Sequence, residues 1–398
     1  MPVETPKSGV FLYGRMFFKQ KRHDGPRRCR RLKTGDFSGN LISFSHLKTV
    51  FQSLKSNEKA FSLLLKTMNF GWLEPDQLTG KSFPLPPDPA INKPLLLRAQ
   101  SAQPMQLQIG LAEWHVKEWK GRLYPSRTRE ADVMDAYMQR FHCMEFNGTH
   151  YRIYPQETIR KWADKAVKSD FLFLPKFPQI ISHHSHFINP SRDTGLFLDS
   201  VAGFGAHLGP MFLQTGEAFI PTRINQENLY RYLRTLPRKQ TFFVEFRHPD
   251  WFREPILGIW TEVFRDLGIG AVITDTPGRR DACHMYLTIP KVMIRFVGKS
   301  RVRSTYERIE DWMQRLKNWE QDGLEAAYLI MHNGLSAPEM ARYAIARAND
   351  VLGRSIADPA LSNPLFNPFA DAVQYGVLQE TQVPQLEAGP AAVQSSLF

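Results

Sequence analysis

The chain has 398 residues, 42% of them hydrophobic and 23% charged. That balance belongs to a folded protein with a sizeable core, as one large domain or two ordinary ones. No run approaches the roughly 20 apolar residues of a membrane helix. The opening MPVETPKSGV has no apolar h-region, so no secretory signal is expected. Cys29, Cys143 and Cys283 are too few and too scattered for a disulfide framework or a thiolate metal site. A cytoplasmic protein with no membrane contact is the expectation.

The formal net charge of +12 is unevenly spread. Residues 1–104 carry 17 Lys and Arg against 7 Asp and Glu, and the remainder carries 34 against 32. The basic character therefore belongs to the first segment, and a DNA-binding body does not follow from it. That segment joins KRHDGPRRCRRLK to a Pro-rich FPLPPDPAINKP, with helical apolar spacing only from about Phe44 to Trp72. Residues 1–104 read as a disordered extension, with a basic arm for nucleic acid as the alternative. Met105, directly before the first apolar strand, could be the true start.

From Met105 onward, short apolar runs alternate with helical patterns. The runs are LQIGLA (107–112), CMEFN (143–147), FLFLPK (171–176), GPMFLQ (209–214), TFFVEF (241–246), GAVITD (270–275), VMIRFV (292–297) and AAYLIM (326–331). Strand–helix alternation implies parallel pairing, and eight units over residues 105–353 predict a single (β/α)8 TIM-type barrel with flexible N- and C-terminal extensions. One unit is irregular: PGRRDACHMYLTIPK, between the sixth and seventh strands, is short for a crossover helix. Residues 354–398 read as a flexible tail.

In such a barrel the chemistry sits at the C-terminal strand ends. Polar groups recur there: Glu113 and Trp114; Glu145, Asn147, Thr149, Tyr151 and Arg152; Lys176; Gln214; Glu245, Arg247 and His248; Asp275; Arg295; His332 and Asn333. Alternation puts Glu145 with Asn147, and Glu245 with Arg247, on shared faces. We expect Glu145, Glu245 and His248 as catalytic groups, with a carboxylate as general acid/base. Trp114, Asn147, Thr149, Tyr151, Arg152, Lys176, Gln214, Arg247, Arg295 and Asn333 are the expected substrate-binding residues. Lys176, Arg247 and Arg295 favour an anionic ligand, either a phosphate-bearing small molecule or a nucleic-acid fragment. Internal ion pairs that fix packing are the alternative for the charged residues. Glu113, Glu145, Glu245, His248, Asp275 and His332 lack metal-ligand spacing, so a divalent metal is conceivable but none is predicted. The HHSH cluster at His183, His184 and His186 reads as a surface loop, and no GxSxG elbow supports a serine triad.

The segments LAEWHVKEWKGRLYP, EFNGTHYRIYPQETIRKWA, FLFLPKFPQIISH, HLGPMFLQ and VEFRHPDWF occur in order. They resemble the signatures of the YecE-like proteins, domain of unknown function 72. The resemblance implies a TIM-type barrel and hands over no settled activity. It departs at Glu113, where the family has a small residue, at Arg295-Phe296-Val297-Gly298 in place of an Arg-Leu-His-Gly run, and at His332-Asn333 in place of Asn-Asn. The ending Gln394-Ser395-Ser396-Leu397-Phe398 resembles the Gln-x-x-Leu-Phe peptide that binds the bacterial sliding clamp, so Gln394, Leu397 and Phe398 are expected clamp contacts. An enzyme, a hydrolase in one version, is the leading expectation. A sugar or sugar-phosphate hydrolase or isomerase, and a non-catalytic binding module, are the alternatives.

Overall fold

A computed structural model describes residues 70–384 apart from 72, 100, 102 and 167–169. Eight strands follow in chain order: β1 (Gln106–Leu111), β2 (Cys143–Phe146), β3 (Leu172–Pro175), β4 (Met211–Gln214), β5 (Phe242–Glu245), β6 (Gly270–Asp275), β7 (Lys291–Val297) and β8 (Ala326–His332). All of their pairings are parallel, in the order β3-β2-β1-β8-β7-β6-β5-β4. β3 and β4 close the ring, with Gly209 N–H donating to Phe173 O at 2.8 Å and Phe177 N–H to Phe212 O at 2.9 Å. The fold is the (β/α)8 barrel, and each strand falls where the sequence places it.

Strand alternation sorts the side chains into layers. Cys143, Leu174, Phe212, Phe243, Val272, Met293 and Ile330 form one small apolar cluster in the barrel interior. Their outward neighbours join the main core between sheet and helices, with Trp119, Trp251, Trp260, Trp312 and Trp319 fully buried. Two residues beyond each interior apolar group, on the same face, stand Glu145, Lys176, Gln214, Glu245, Thr274, Arg295 and His332. An apolar plug therefore carries a polar layer at the C-terminal mouth.

The structure differs from expectation at both flanks. Residues 84–99, placed by sequence in an unstructured extension, pack on the barrel. The extended Pro-rich run leaves its carbonyls free, and Pro84 O and Pro86 O accept from Arg280 Nη2 (2.9 Å) and Arg315 Nη2 (3.0 Å). A helix then runs Asn92–Ala99 with Leu96 fully buried. Asn92 Nδ2 donates to Met285 O at 2.8 Å, and its Oδ1 accepts from Leu287 N–H at 2.9 Å. This helix covers the β6–β7 connection, where only a 3-10 turn, Arg280–Ala282, stands in place of a crossover helix. A chain beginning at Met105 would leave those two backbone groups without their partner. On the other flank, part of the expected tail is ordered packing. A helix Pro368–Gln374 is capped by Asn367, and Phe366, Phe369 and Leu378 are buried. Residues 1–69 and 385–398 lie outside the described residues. No helix among the described residues is long and apolar enough to cross a membrane.

Candidate functional site

Arg295, projecting from β7, organises the polar layer. Its Nε and Nη2 meet the two carboxylate oxygens of Glu145, each at 2.9 Å. Its Nη1 reaches both oxygens of Glu245, at 2.9 and 2.7 Å. Bidentate pairing of this kind is the strong form of a charge-assisted hydrogen bond. Glu245 also accepts from Thr274 Oγ1 at 2.6 Å and meets Arg247 Nη2 at 2.8 Å. Glu145 also accepts from Asn147 Nδ2 at 2.9 Å and lies 3.1 Å from His332 Nε2. Burial pushes both carboxyls up, but the cations beside them outweigh it: Arg295 and His332 hold Glu145 well below the usual range, and Arg247 and Arg295 lower Glu245. Burial, reinforced by Arg295, lowers the His332 imidazole against the pull of Glu145.

Lys176 behaves differently. It is 8% exposed, and among the described residues no carboxylate lies within 4.0 Å of its Nζ. Among the described residues the one hydrogen bond of its Nζ runs to Gln214 Oε1, at 3.0 Å. That same oxygen accepts from Arg247 Nη2 at 3.0 Å and lies 3.5 Å from Arg295 Nη1. Burial lowers the Lys176 ammonium, Arg295 lowers it further, and despite the pull of Glu145 and Glu245 it falls to about 7.

These groups floor an open cleft of about 1170 Å³. Its walls carry Trp114, Tyr151, His150, His183, Glu217 and Phe70. Phe70 comes from the segment before the barrel: its ring lies 4.0 Å from the Arg247 guanidinium and 4.6 Å from that of Arg279. Gly71 O accepts from Thr276 Oγ1 at 2.6 Å and from Gly278 N–H at 2.8 Å. A Cβ on Gly71 would sit 2.4 Å from Thr276 Cγ2, and its φ is +68°, so only glycine fits there. His150 and His183 are held neutral, pushed by burial and by Lys176 to about 3 and about 4.

Of the residues singled out from sequence, the structure brings together Glu145, Glu245, Asn147, Lys176, Gln214, Arg247 and Arg295, with Trp114 and Tyr151 on the walls. The others sit elsewhere. Thr149 is fully buried and donates to Phe146 O and Lys176 O, pinning β2 to β3. Arg152 is exposed, its guanidinium 5.3 Å from the Tyr154 ring. His248 caps the turn Pro249–Phe252 by accepting from Asp250 N–H. Asn333 is buried beside the strand-eight turn and does not line the cleft. Asp275 points away from Thr274, into the helical layer. Glu113 lines the cleft beside Glu145, its carboxyl raised by burial and by that neighbour. Of the six residues weighed as metal ligands, His248 and Asp275 therefore lie elsewhere, and Arg295 stands between Glu145 and Glu245. Gln394, Leu397 and Phe398 lie outside the described residues. Phe70, Thr274, His150 and Glu217 were not singled out as site residues. Thr274 was within reach, because it shares a strand face with Val272.

The family model described as "Protein of unknown function DUF72" matches residues 108–361, well over half of the chain. The chain belongs to the DUF72 family. Among curated members, the UPF0759 protein YecE of Escherichia coli K12 is 27% identical over 258 residues, covering 59% of this chain and 89% of that protein. Two solved DUF72 structures share the fold. One, from Enterococcus faecalis V583, has 18% identity and a TM-score of 0.50 over 66% of this chain and 99% of that one. The other, from Thermotoga maritima MSB8, has 20% identity and a TM-score of 0.50 over 63% of this chain and all of that one. Phe70 and the helix Asn92–Ala99 precede the DUF72 match, so this chain adds to the DUF72 barrel from outside it.

Proposed function

We propose that the barrel mouth is an enzyme site for a small anionic molecule bearing a phosphate or carboxylate. The carrying observation is the buried Lys176 amine with no carboxylate beside it. In the buried layer Lys176, Arg247 and Arg295 face two carboxylates, both already committed to guanidinium groups, and Glu113 and Glu217 on the cleft walls form no ion pair with Lys176. A bound anion would supply the missing charge. Arg247 favours the same ligand, because its guanidinium lines the cleft. In this reading Glu145 and Glu245 hold the guanidinium groups in place, and Lys176 is the group that gives and takes a proton near neutral pH.

The test is thermal denaturation of the full chain against a panel of phosphate monoesters and 2-oxo acids. Stabilisation by panel members, abolished in Lys176→Met, is the expected result. A panel without effect, or one equally effective on the variant, would overturn the assignment.

Separately, we propose that QSSLF at residues 394–398 docks on a sliding clamp, supported by the motif alone. A labelled peptide ending in VQSSLF should bind the clamp with a Kd of roughly micromolar. Leu397→Ala with Phe398→Ala should abolish it, and a peptide that fails to bind ends this reading.

A further inference from the structure

We infer that Lys176 is a covalent centre: its Nζ forms an imine with the carbonyl carbon of an anionic aldehyde or ketone whose anionic group is met by Arg247. This inference rests on the anion-binding reading of the same cleft and adds a bond to it.

The geometry is that of a neutral amine. An ammonium at Nζ would present three N–H donors, and the described residues offer one acceptor, Gln214 Oε1. That oxygen is already shared with Arg247 and Arg295. A neutral amine donates one hydrogen to Gln214 and keeps a lone pair for the cleft. Glu145 on β2 and Glu245 on β5 are turned to Arg295; Arg247, Arg295 and the neutral imidazoles of His150 and His183 offer no anion; and Glu113 and Glu217, which also line the cleft, form no ion pair with Lys176. A lysine beside other cations and out of water is the recognised setting for a nucleophilic amine. Its pKa of about 7 is consistent with that. The backbone is held on both sides, with Lys176 N–H donating to Phe146 O at 3.3 Å and Thr149 Oγ1 donating to Lys176 O at 2.8 Å. The nucleophile is therefore fixed at the floor of the cleft.

The step balances without any oxidant or metal. The Nζ lone pair attacks the carbonyl carbon and the C–N bond forms. The carbonyl π pair moves to oxygen, which takes a proton released by the nitrogen. Loss of that hydroxyl with a second proton releases water and leaves the C=N bond. A 2-oxo acid and a phosphorylated aldehyde share this chemistry and differ in the anion that Arg247 would hold.

Reductive trapping tests it. The full chain is incubated at pH 7 with cyanoborohydride and glyoxylate, glyceraldehyde 3-phosphate or uncharged glycolaldehyde, and adducts are mapped by mass spectrometry. Reduction at Lys176 about tenfold or more faster than at the next most reactive lysine, with a charged probe, is expected. Glyoxylate and the phosphorylated aldehyde as separate arms name the class. Lys176→Arg cannot form the imine, so its map should lose that adduct alone, whatever becomes of Lys176→Met. If Lys176 is trapped no faster than surface lysines, the covalent role fails. If the ligand panel still stabilises the protein in that case, anion binding stands without it. Trapping as fast by glycolaldehyde as by the charged probes would remove the role of Arg247.

Discussion

Two buried ion clusters lie close in sequence and differ in what they leave unfinished. In the helical layer, Asp275 Oδ2 accepts from Trp312 Nε1 at 2.8 Å, and Oδ1 meets Arg308 Nη1 at 3.0 Å together with Arg280. Arg308 in turn donates to Val297 O and Ser304 O and lies over the Phe296 ring. Both carboxylate oxygens are engaged, and Asp275 is fully buried. In the mouth, Glu145, Glu245 and Arg295 are equally well paired, but Lys176 has only Gln214 Oε1 as a partner at the floor of the cleft, and the buried Nε of Arg247 has none among the described residues. A satisfied network is architecture; a network with a charge left over beside a cleft is where a ligand belongs.

The largest expected effect comes from Arg295→Met. It leaves the buried Glu145 without a guanidinium and Glu245 with Arg247 alone, and should cost about 3–5 kcal/mol in chemical denaturation. Asp275→Asn breaks the other cluster and should cost about 3 kcal/mol, while the melting shift given by the anionic ligands stays the same size. A loss of that shift would erase the distinction between the two networks. Asn92→Ala leaves Leu287 N–H and Met285 O unpaired and should cost about 2 kcal/mol, which checks that the segment before Met105 is part of the folded body.

Lys176 gives a smaller, pH-dependent signature. Its folded pKa is depressed to about 7 from the ordinary lysine value of 10.5, so between these values the unfolded chain binds the extra proton. Stability from this group therefore rises with pH across that window. The wild type should gain on the order of 2 kcal/mol between pH 7 and pH 9 relative to Lys176→Met. Parallel pH profiles for the two proteins would mean that the amine is as well solvated as any surface lysine.

Much of this was legible in the sequence, because a barrel strand has a period of two. Glu145, Gln214, Glu245, Arg247 and Arg295 follow their interior apolar neighbours by even steps, and all reach the mouth. The same rule separates Thr274 from Asp275, yet polarity at a strand end drew attention to Asp275. Thr149, Arg152 and His248 lie past the strand ends, where the strand period no longer applies and local turns decide direction. Phe70 was out of reach, since it falls in the helical apolar spacing from about Phe44 to Trp72, which carries no sign of a barrel partner. Asn92–Ala99 escaped because it follows directly on the Pro-rich run, although the short β6–β7 connection signalled a vacancy in the outer layer. The pairing alternatives for Arg295 and Lys176 could not be separated by sequence; in the structure Arg295 takes both carboxylates and Lys176 neither.

The most direct test of the mouth as an anion site is the reactivity of Lys176 itself. Competitive acetylation with limiting acetic anhydride, read lysine by lysine from pH 5 to pH 11 by mass spectrometry, reports its titration against that of the surface lysines. A midpoint near 7 that rises when inorganic phosphate or glyoxylate is added, with protection of this lysine alone, is the expected result. A midpoint near the ordinary lysine value, or one that neither anion moves, would contradict the assignment of this cleft.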